Sequence, residues 1–115
     1  MDIKQLKKTQ IEQDQSFGFP VKFKNDIEKY NQLTKELVGF FGEVGEFSNV
    51  VKKINLKLDN DKYDYDIESA KELLAEELVD SLIYILRISE ILDVDLEKET
   101  LKKIKKNRER YSGLR

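Results

Sequence analysis

The spacing of the apolar residues constrains this chain more than any other feature. Leu, Ile, Val and Phe recur every three or four residues, which is the period of a helix face and not of a strand. Residues that interrupt helices are few, with five Gly and one Pro among 115 residues. The pattern therefore predicts an all-α fold. With 39% hydrophobic residues, the composition fits a single globular domain over residues 1–115.

Breaks in this period predict four helices. Turn-forming residues interrupt it at 16–20 and 59–66, and Asn25 and Asp95 are predicted N-caps, Asn25 with Glu28 in a possible capping box. The predicted helices cover residues 3–13, 26–56, 67–92 and about 96–110. Four helices with short connections bury their apolar faces most economically as a four-helix bundle, and oligomerisation can complete the modest core of so short a chain.

Three glycines lie in the middle of the second predicted helix, at positions 39, 42 and 45. Each should disfavour the helix by about 0.8–1 kcal/mol relative to Ala, so the three together cost roughly 2–3 kcal/mol. We expect a compensating feature. Either a neighbouring helix approaches closely, or the bare backbone clears room for a ligand, and the two are compatible.

The chain has no Cys, His or Trp. Thiolate and imidazole nucleophiles, and zinc sites built from them, are therefore excluded, and any bound metal must be a hard cation held by oxygen. The longest apolar run, 82–86, is far shorter than the roughly 18–20 residues that span a bilayer, and the first residues do not lead into a signal-peptide core. We expect a cytoplasmic protein that does not enter membranes. A net charge of −2 gives no general attraction to nucleic acid.

Two pairs of acids border the apolar stripes: Glu43 with Glu46, and Glu77 with Asp80. Residues three apart project in nearly the same direction from a helix. Carboxylates at the inner edge of a bundle must be neutralised by protons, basic side chains or cations. Four converging acids suit Mg²⁺, which prefers oxygen ligands.

Other interpretations of the acids compete with this one. Neighbouring lysines could neutralise them in surface ion pairs; these are Lys52, Lys53 and Lys71. A di-iron bundle site is disfavoured, because its Glu-x-x-His element needs a histidine. The acidic segment from Asp59 fails as a calcium loop, since Asp64 stands where Gly is required and Ala70 where the final Glu is required.

The last predicted helix carries a basic strip. Lys103, Asn107 and Arg110 are spaced i, i+4, i+7, so that Asn107 and Arg110 each lie within about 40° of Lys103 around the helix, and Tyr111 is adjacent. Such a strip can hold anionic oxygens, although an ordinary solvated basic face is the alternative. If the two acid pairs hold a metal ion, the metal ion and the basic strip could together bind a polyphosphate.

Three motifs follow one another along the chain: residues 42–47 (Gly-Glu-Val-Gly-Glu-Phe), residues 76–86, which begin Glu-Glu-Leu-Val-Asp, and residues 95–111. In this order they resemble the all-α nucleoside triphosphate pyrophosphohydrolases, which include the MazG proteins, the dCTP pyrophosphatases and the dimeric dUTPases. The similarity is greatest to the dCTP pyrophosphatase and short MazG-like branch. It implies Mg²⁺-dependent hydrolysis, with Mn²⁺ as a substitute, of the bond between the α and β phosphates of a nucleoside triphosphate.

The resemblance also implies roles by position. The implied metal ligands are Glu43, Glu46, Glu77 and Asp80. Of these, Glu46, beside Glu43, is the most plausible base for the attacking water. The implied phosphate and sugar contacts are Lys103, Asn107, Arg110 and Tyr111. Members of the family form dimers or dimers of dimers, so a homodimer or homotetramer is expected.

Base recognition departs from the dCTP pyrophosphatase pattern. The aromatic residue that follows the first motif there has no counterpart in residues 48–53. Aromatic residues before the second helix would stack on the base instead, or would form a hydrophobic clamp over the end of the bundle; these are Phe17, Phe19 and Phe23. Two rival functions stay open: a non-catalytic helical dimerisation or partner-binding module, and a nucleic-acid contact by the basic tail 102–115, which the near-neutral charge disfavours.

Overall fold

The computed structural model describes residues 1–114, which form four α-helices and no strand. The helices are α1 (Ile3–Ser16), α2 (Asp26–Asp59), α3 (Ile67–Ile91) and α4 (Leu96–Tyr111), and a 3-10 turn (Ser112–Leu114) follows. The all-α prediction is confirmed, and no predicted helix end is wrong by more than three residues. Arg115, the last residue of the basic tail, lies outside the described residues.

Side-chain caps start the helices at the predicted residues. Asn25 Oδ1 accepts a hydrogen bond from the Glu28 amide at 2.9 Å, and Asp95 Oδ1 accepts one from the Lys98 amide at 3.1 Å. Each such cap is worth about 1 kcal/mol. At α2 the Glu28 carboxylate accepts from the Lys24 amide, not from Asn25, so the reciprocal half of the predicted capping box is absent there.

The two longest helices, α2 and α3, pack side by side as an antiparallel pair. Glu36 pairs with Arg87 and Gly39 lies against Tyr84, so positions on α3 fall as positions on α2 rise. The first helix, α1, packs across α3, and α4 packs on α1. None of the four helices combines the length and the apolar composition that a membrane span requires.

A buried arginine joins three parts of the chain. Arg87 on α3 donates through Nε to both carboxylate oxygens of Glu36 at 3.0 Å and through Nη1 to Asp14 of α1 at 2.6 Å. Its Nη2 also donates to the carbonyl of Pro20 at 3.2 Å. Buried charges require such partners, because an unpaired one loses its hydration without compensation. The network therefore fixes α1 and the following loop against the α2–α3 pair.

The isolated chain is less compact than a monomeric domain of its size. Its radius of gyration is 18.2 Å, whereas a compact domain of this length has about 13 Å. Few apolar side chains are buried; they are Ile11, Val21, Ala70, Leu86 and Ile91. The prediction of four helices holds, but within residues 1–114 the principal contact of α4 is with α1 and not with the α2–α3 pair.

Candidate functional site

Three acids meet between α2 and α3. One carboxylate oxygen from each of Glu43, Glu77 and Asp80 lies within 4.8 Å of the other two. The register of the helix pair brings them together: the contact between Gly39 and Tyr84 lies one turn away from Glu43 on α2 and one turn away from Asp80 on α3. Two segments distant in sequence thus converge on one acidic cluster, defined here as Glu43, Glu77 and Asp80.

Crowding in this acidic cluster changes its titration. The neighbouring carboxyl group of Glu43, then that of Glu46, then desolvation raise the pKa of Glu77 to about 8. Without a cation, Glu77 therefore holds a proton at neutral pH. In addition, Glu43 Oε2 and Glu77 Oε2 are buried and have no hydrogen-bond partner. Two unpartnered buried oxygens in one cluster are a costly arrangement that a ligand would relieve.

The donor set fits a hard divalent cation. All three groups offer carboxylate oxygens, which Mg²⁺ and Mn²⁺ prefer, and the unpartnered oxygens of Glu43 and Glu77 are free to coordinate. The alternative of neutralisation by lysine finds no support, because no ion pair within residues 1–114 involves these acids. Lys71, one of the three lysines considered, pairs with Glu68 at 3.0 Å instead.

Glu46, the fourth predicted ligand, lies at the edge of the acidic cluster. Its side chain is exposed, and it is not one of the three acids whose oxygens lie within 4.8 Å. Its carboxyl group nevertheless contributes to the raised pKa of Glu77. The structure thus brings three of the predicted ligands together and keeps Glu46 beside them.

A cavity of about 640 Å³ opens next to the acidic cluster. Glu43 and Asp80 line one part of it, and Phe17 and Phe19, whose ring centroids are 6.2 Å apart, also line it. Phe23, the third predicted aromatic, is half-buried and does not line this cavity. A volume in this range is typical of small-molecule sites. Two of the three predicted base contacts therefore share a cavity with the acids.

Tyr84 is a lining residue that the sequence did not single out. Its ring lies directly against Gly39, where an added Cβ would overlap the hydroxyl group. The close approach predicted for the glycines is thus present at Gly39, whereas nothing lies within 4 Å of where a Cβ would stand on Gly42 or Gly45. The i, i+4 spacing of Asp80 and Tyr84 was the available signal, because it places both on one face of α3.

Arg87 and its two carboxylate partners, Asp14 and Glu36, also line this cavity. The sequence analysis did not predict a role for any of the three. Arg87 follows Tyr84 by three residues, which continues the face that begins at Asp80. It is the only basic residue that lines the cavity within the described chain. Its charge is already matched by two carboxylates, so it offers little to an anionic ligand.

The predicted phosphate-binding strip lies elsewhere in the isolated chain. Lys103, Arg110 and Tyr111 are exposed on α4 and Asn107 is half-buried, and the Arg110 guanidinium lies over the Tyr111 ring at 5.0 Å. No residue of α4 lines the cavity beside the acids. Within one chain, the basic strip and the acidic cluster are therefore not brought together.

Comparisons of the chain with protein-family models, with curated proteins and with solved structures gave no match.

Proposed function

We propose that this protein is a Mg²⁺-dependent nucleoside triphosphate pyrophosphohydrolase, which cleaves the α–β phosphate bond of a ribo- or deoxynucleoside triphosphate to a monophosphate and pyrophosphate. One observation carries the proposal: the acidic cluster, with two unpartnered buried oxygens, lies beside a cavity of suitable size for a nucleoside. The order of the three sequence motifs supports the choice of reaction. Removal of unwanted triphosphates from the nucleotide pool would be its role.

The acids supply the metal site in this proposal. Glu43, Glu77 and Asp80 would hold Mg²⁺, and Glu46 would join them from the edge of the cluster. When bound, Mg²⁺ would neutralise triphosphate charge and lower the pKa of a bound water. Glu46 is exposed at the edge of the acidic cluster, where its carboxylate would accept the proton of the attacking water.

Aromatic and basic side chains would hold the remainder of the substrate. Phe17 and Phe19 line the cavity and are more than half exposed, so their ring faces are available for stacking on a base. Lys103 and Arg110 would bind phosphate oxygens, Arg through paired donors and Lys as a point charge. Because the strip lies away from the acids in one chain, the proposal includes a homodimer or homotetramer.

Product analysis tests the reaction. The protein is incubated with each of the eight common nucleoside triphosphates and Mg²⁺, and pyrophosphate is measured separately from orthophosphate. We expect pyrophosphate from at least one triphosphate and a loss of about 100-fold or more in Glu43→Gln, as is usual when an essential catalytic group is removed. Asp61→Asn, in the connection between α2 and α3, is the matched control and should retain activity. If no triphosphate yields pyrophosphate, the proposal is wrong.

The second candidate is a non-catalytic dimerisation module, favoured by the large exposed apolar side chains on α2 and α4. A thermal-unfolding titration separates the two. The enzyme requires that Mg²⁺ or Mn²⁺ raise the melting temperature, and that Glu43→Gln abolish the effect. A module whose acids bind no cation shows no change.

A further inference from the structure

The two aromatic rings beside the acidic cluster have little packing of their own. Phe17 and Phe19 are 65% and 53% exposed, and they lie on a turn that comprises residues 17–20, called the aromatic turn below. Gly18, between them, has a φ of +79°, which a glycine adopts without strain. Rings this exposed are not held by side chains around them, so their position depends on how the backbone of the turn is held.

Both ends of the aromatic turn are tied to Arg87. At its start, the backbone carbonyl of Asp14 accepts hydrogen bonds from the amides of Phe17 at 3.2 Å and Phe19 at 2.9 Å. The carboxylate of Asp14 accepts from Arg87 Nη1 at 2.6 Å. At the other end, the carbonyl of Pro20 accepts from Arg87 Nη2 at 3.2 Å. One guanidinium thus holds the residue that precedes the turn and the residue that ends it.

Glu36 on α2 keeps this guanidinium in place. Its two carboxylate oxygens accept from Arg87 Nε at 3.0 Å, and Gln32, one turn earlier, donates to the same carboxylate at 3.0 Å. Glu36, Arg87 and Asp14 are all buried. A buried network with satisfied partners is rigid, so these three side chains form a firm anchor for the aromatic turn. We call them the anchor.

The helix that carries the guanidinium also carries two of the acids. Asp80 and Arg87 are seven residues apart on α3, which places them within about 20° of the same direction and about 10 Å apart along the helix axis. Both line the cavity beside the acidic cluster. Because one continuous helix joins them, α3 fixes the distance between the acids and the aromatic turn.

We propose that Arg87 is a positioning residue, which holds the aromatic turn where one nucleotide can stack its base on Phe17 and Phe19 and present its phosphates to the acids. A loose turn would have to be ordered when the nucleotide binds, at a cost in affinity. Nε, Nη1 and Nη2 of Arg87 already donate to the protein, so its effect on the ligand passes through the turn. The identity of the ligand rests on the proposed function, whereas the anchoring rests on these hydrogen bonds.

Kinetics test whether Arg87 acts through the aromatic turn. The triple variant Asp14→Asn, Glu36→Gln, Arg87→Met removes the anchor without leaving a buried charge unpaired. We expect it to raise KM about tenfold for the triphosphate that the parent hydrolyses fastest, the effect of a lost stacking contact. Phe17→Ala should raise KM about tenfold in the parent and no further in the triple variant, because the ring is already out of place. Full additivity of the two effects would overturn the proposal.

A single substitution repeats this test with less change to the core. Asp14→Asn keeps the shape of the side chain and leaves Arg87 paired with Glu36, but it replaces a charge-assisted hydrogen bond with a neutral one. The remaining pair is neutral overall, so the variant should fold. We expect KM to rise by about threefold with kcat little changed. An unchanged KM contradicts the role of this bond in positioning the turn.

Lys7 provides a matched control. It also joins α1 to α3, through an ion pair with Glu90 at 3.4 Å, and it donates to the carbonyl of Val94 at 3.0 Å. It lies two helical turns before Asp14 and does not line the cavity beside the acids. Lys7→Met should therefore lower the melting temperature and leave KM unchanged. A rise in KM equal to that of the triple variant would assign the effect to general loosening of α1 and would contradict the proposal.

Fluorescence tests the anchor without hydrolysis. The chain has no Trp, so Phe17→Trp introduces a single reporter on the aromatic turn. Its time-resolved anisotropy should lose amplitude to a fast component when the three anchor substitutions are added, and Lys7→Met should leave it unchanged. The same anisotropy with and without the anchor overturns the proposal.

The outcomes separate this inference from the proposed function. A faster reporter after loss of the anchor, with no hydrolysis of any triphosphate by the parent, supports the anchoring of the turn and contradicts the enzyme. Hydrolysis by the parent with the same KM in the triple variant supports the enzyme and contradicts the positioning role of Arg87.

Discussion

The ring of Tyr84 lies against the backbone of Gly39, where any side chain would overlap the tyrosine hydroxyl. This contact is at the crossing of α2 and α3, one turn from the acidic cluster on each helix. It sets how closely the two helices approach and therefore how near Glu43 comes to Asp80. A glycine that disfavours its own helix thus contributes to the geometry of the site.

Gly39→Ala should destabilise the protein in spite of the higher helix propensity of Ala. The added methyl group overlaps the Tyr84 ring, and overpacking of this kind costs about 1–3 kcal/mol. Urea unfolding measures the change. In a Tyr84→Ala background the obstacle is gone, so the same substitution should be neutral or should stabilise by up to about 1 kcal/mol. Equal effects in both backgrounds would show that the contact with Tyr84 is not the cause.

Arg87→Met should destabilise the fold strongly. It leaves the buried carboxylates of Asp14 and Glu36 without their cation, and removal of one partner from a buried ionic network costs about 3–5 kcal/mol. The hydrogen bond to Glu36, above all, raises the pKa of Arg87, so the guanidinium is charged at every accessible pH.

The triple variant Asp14→Asn, Glu36→Gln, Arg87→Met is the matched control for Arg87→Met. It removes the uncompensated charge and should recover most of the lost stability in chemical unfolding. If the triple variant is no more stable than Arg87→Met, the loss comes from packing of the arginine side chain and not from unpaired charge.

Local signals explain why the helices could be predicted and their arrangement could not. Asn25 and Asp95 cap through hydrogen bonds within three residues, so sequence alone defines those starts. The apolar residues Leu101 and Ile104 predict an amphipathic α4, but periodicity does not say which surface covers that face. The bundle expected from one chain was therefore only partly correct, since α4 packs on α1 instead of along the α2–α3 pair.

At the site, too, features set by local spacing could be predicted from the sequence, and features set by long-range contacts could not. The i, i+3 spacing predicted that each acid pair projects together, and Glu43, Glu77 and Asp80 do converge. Arg87 escaped prediction because an arginine is almost never fully buried, and its two acidic partners are 51 and 73 residues away in sequence. Long-range pairs of this kind leave no periodic trace in one sequence.

Phe17→Ala should change substrate binding, whereas Phe23→Ala should change stability. Phe17 is exposed and lines the cavity, so its loss should raise KM for the triphosphate about tenfold, the lower part of the range for a stacked base, with little change in stability. Phe23 is half-buried outside the cavity, so its loss should lower the melting temperature and leave KM unchanged. Steady-state kinetics and thermal unfolding of both variants check this. Equal KM changes would point to a general disturbance of the loop.

In the absence of divalent cations, stability should fall as pH rises through neutrality towards about 8 and should level off above that value. Glu77 has a pKa of about 8 in the folded chain, against an ordinary value of 4.5. Between these two pKa values the folded chain holds a proton that the unfolded chain has lost. The contribution of this proton to stability is therefore fully present below pH 4.5 and is lost as the pH rises through about 8. Unfolding in EDTA from pH 6 to 9 measures it. Glu77→Gln should flatten the profile, whereas Glu76→Gln, one residue away, should not.

Cation binding should release this proton. A metal ion needs ionised carboxylates, so at pH 7 about one proton should leave Glu77 when Mn²⁺ or Mg²⁺ binds, and the number should approach zero at pH 9, above the pKa of about 8. Calorimetric titrations in two buffers of different ionisation enthalpy give the number directly. Glu77→Gln should bind the cation more weakly and release no proton. Release that persists unchanged in Glu77→Gln would assign the proton to another group and would contradict the placement of the cation among these three acids.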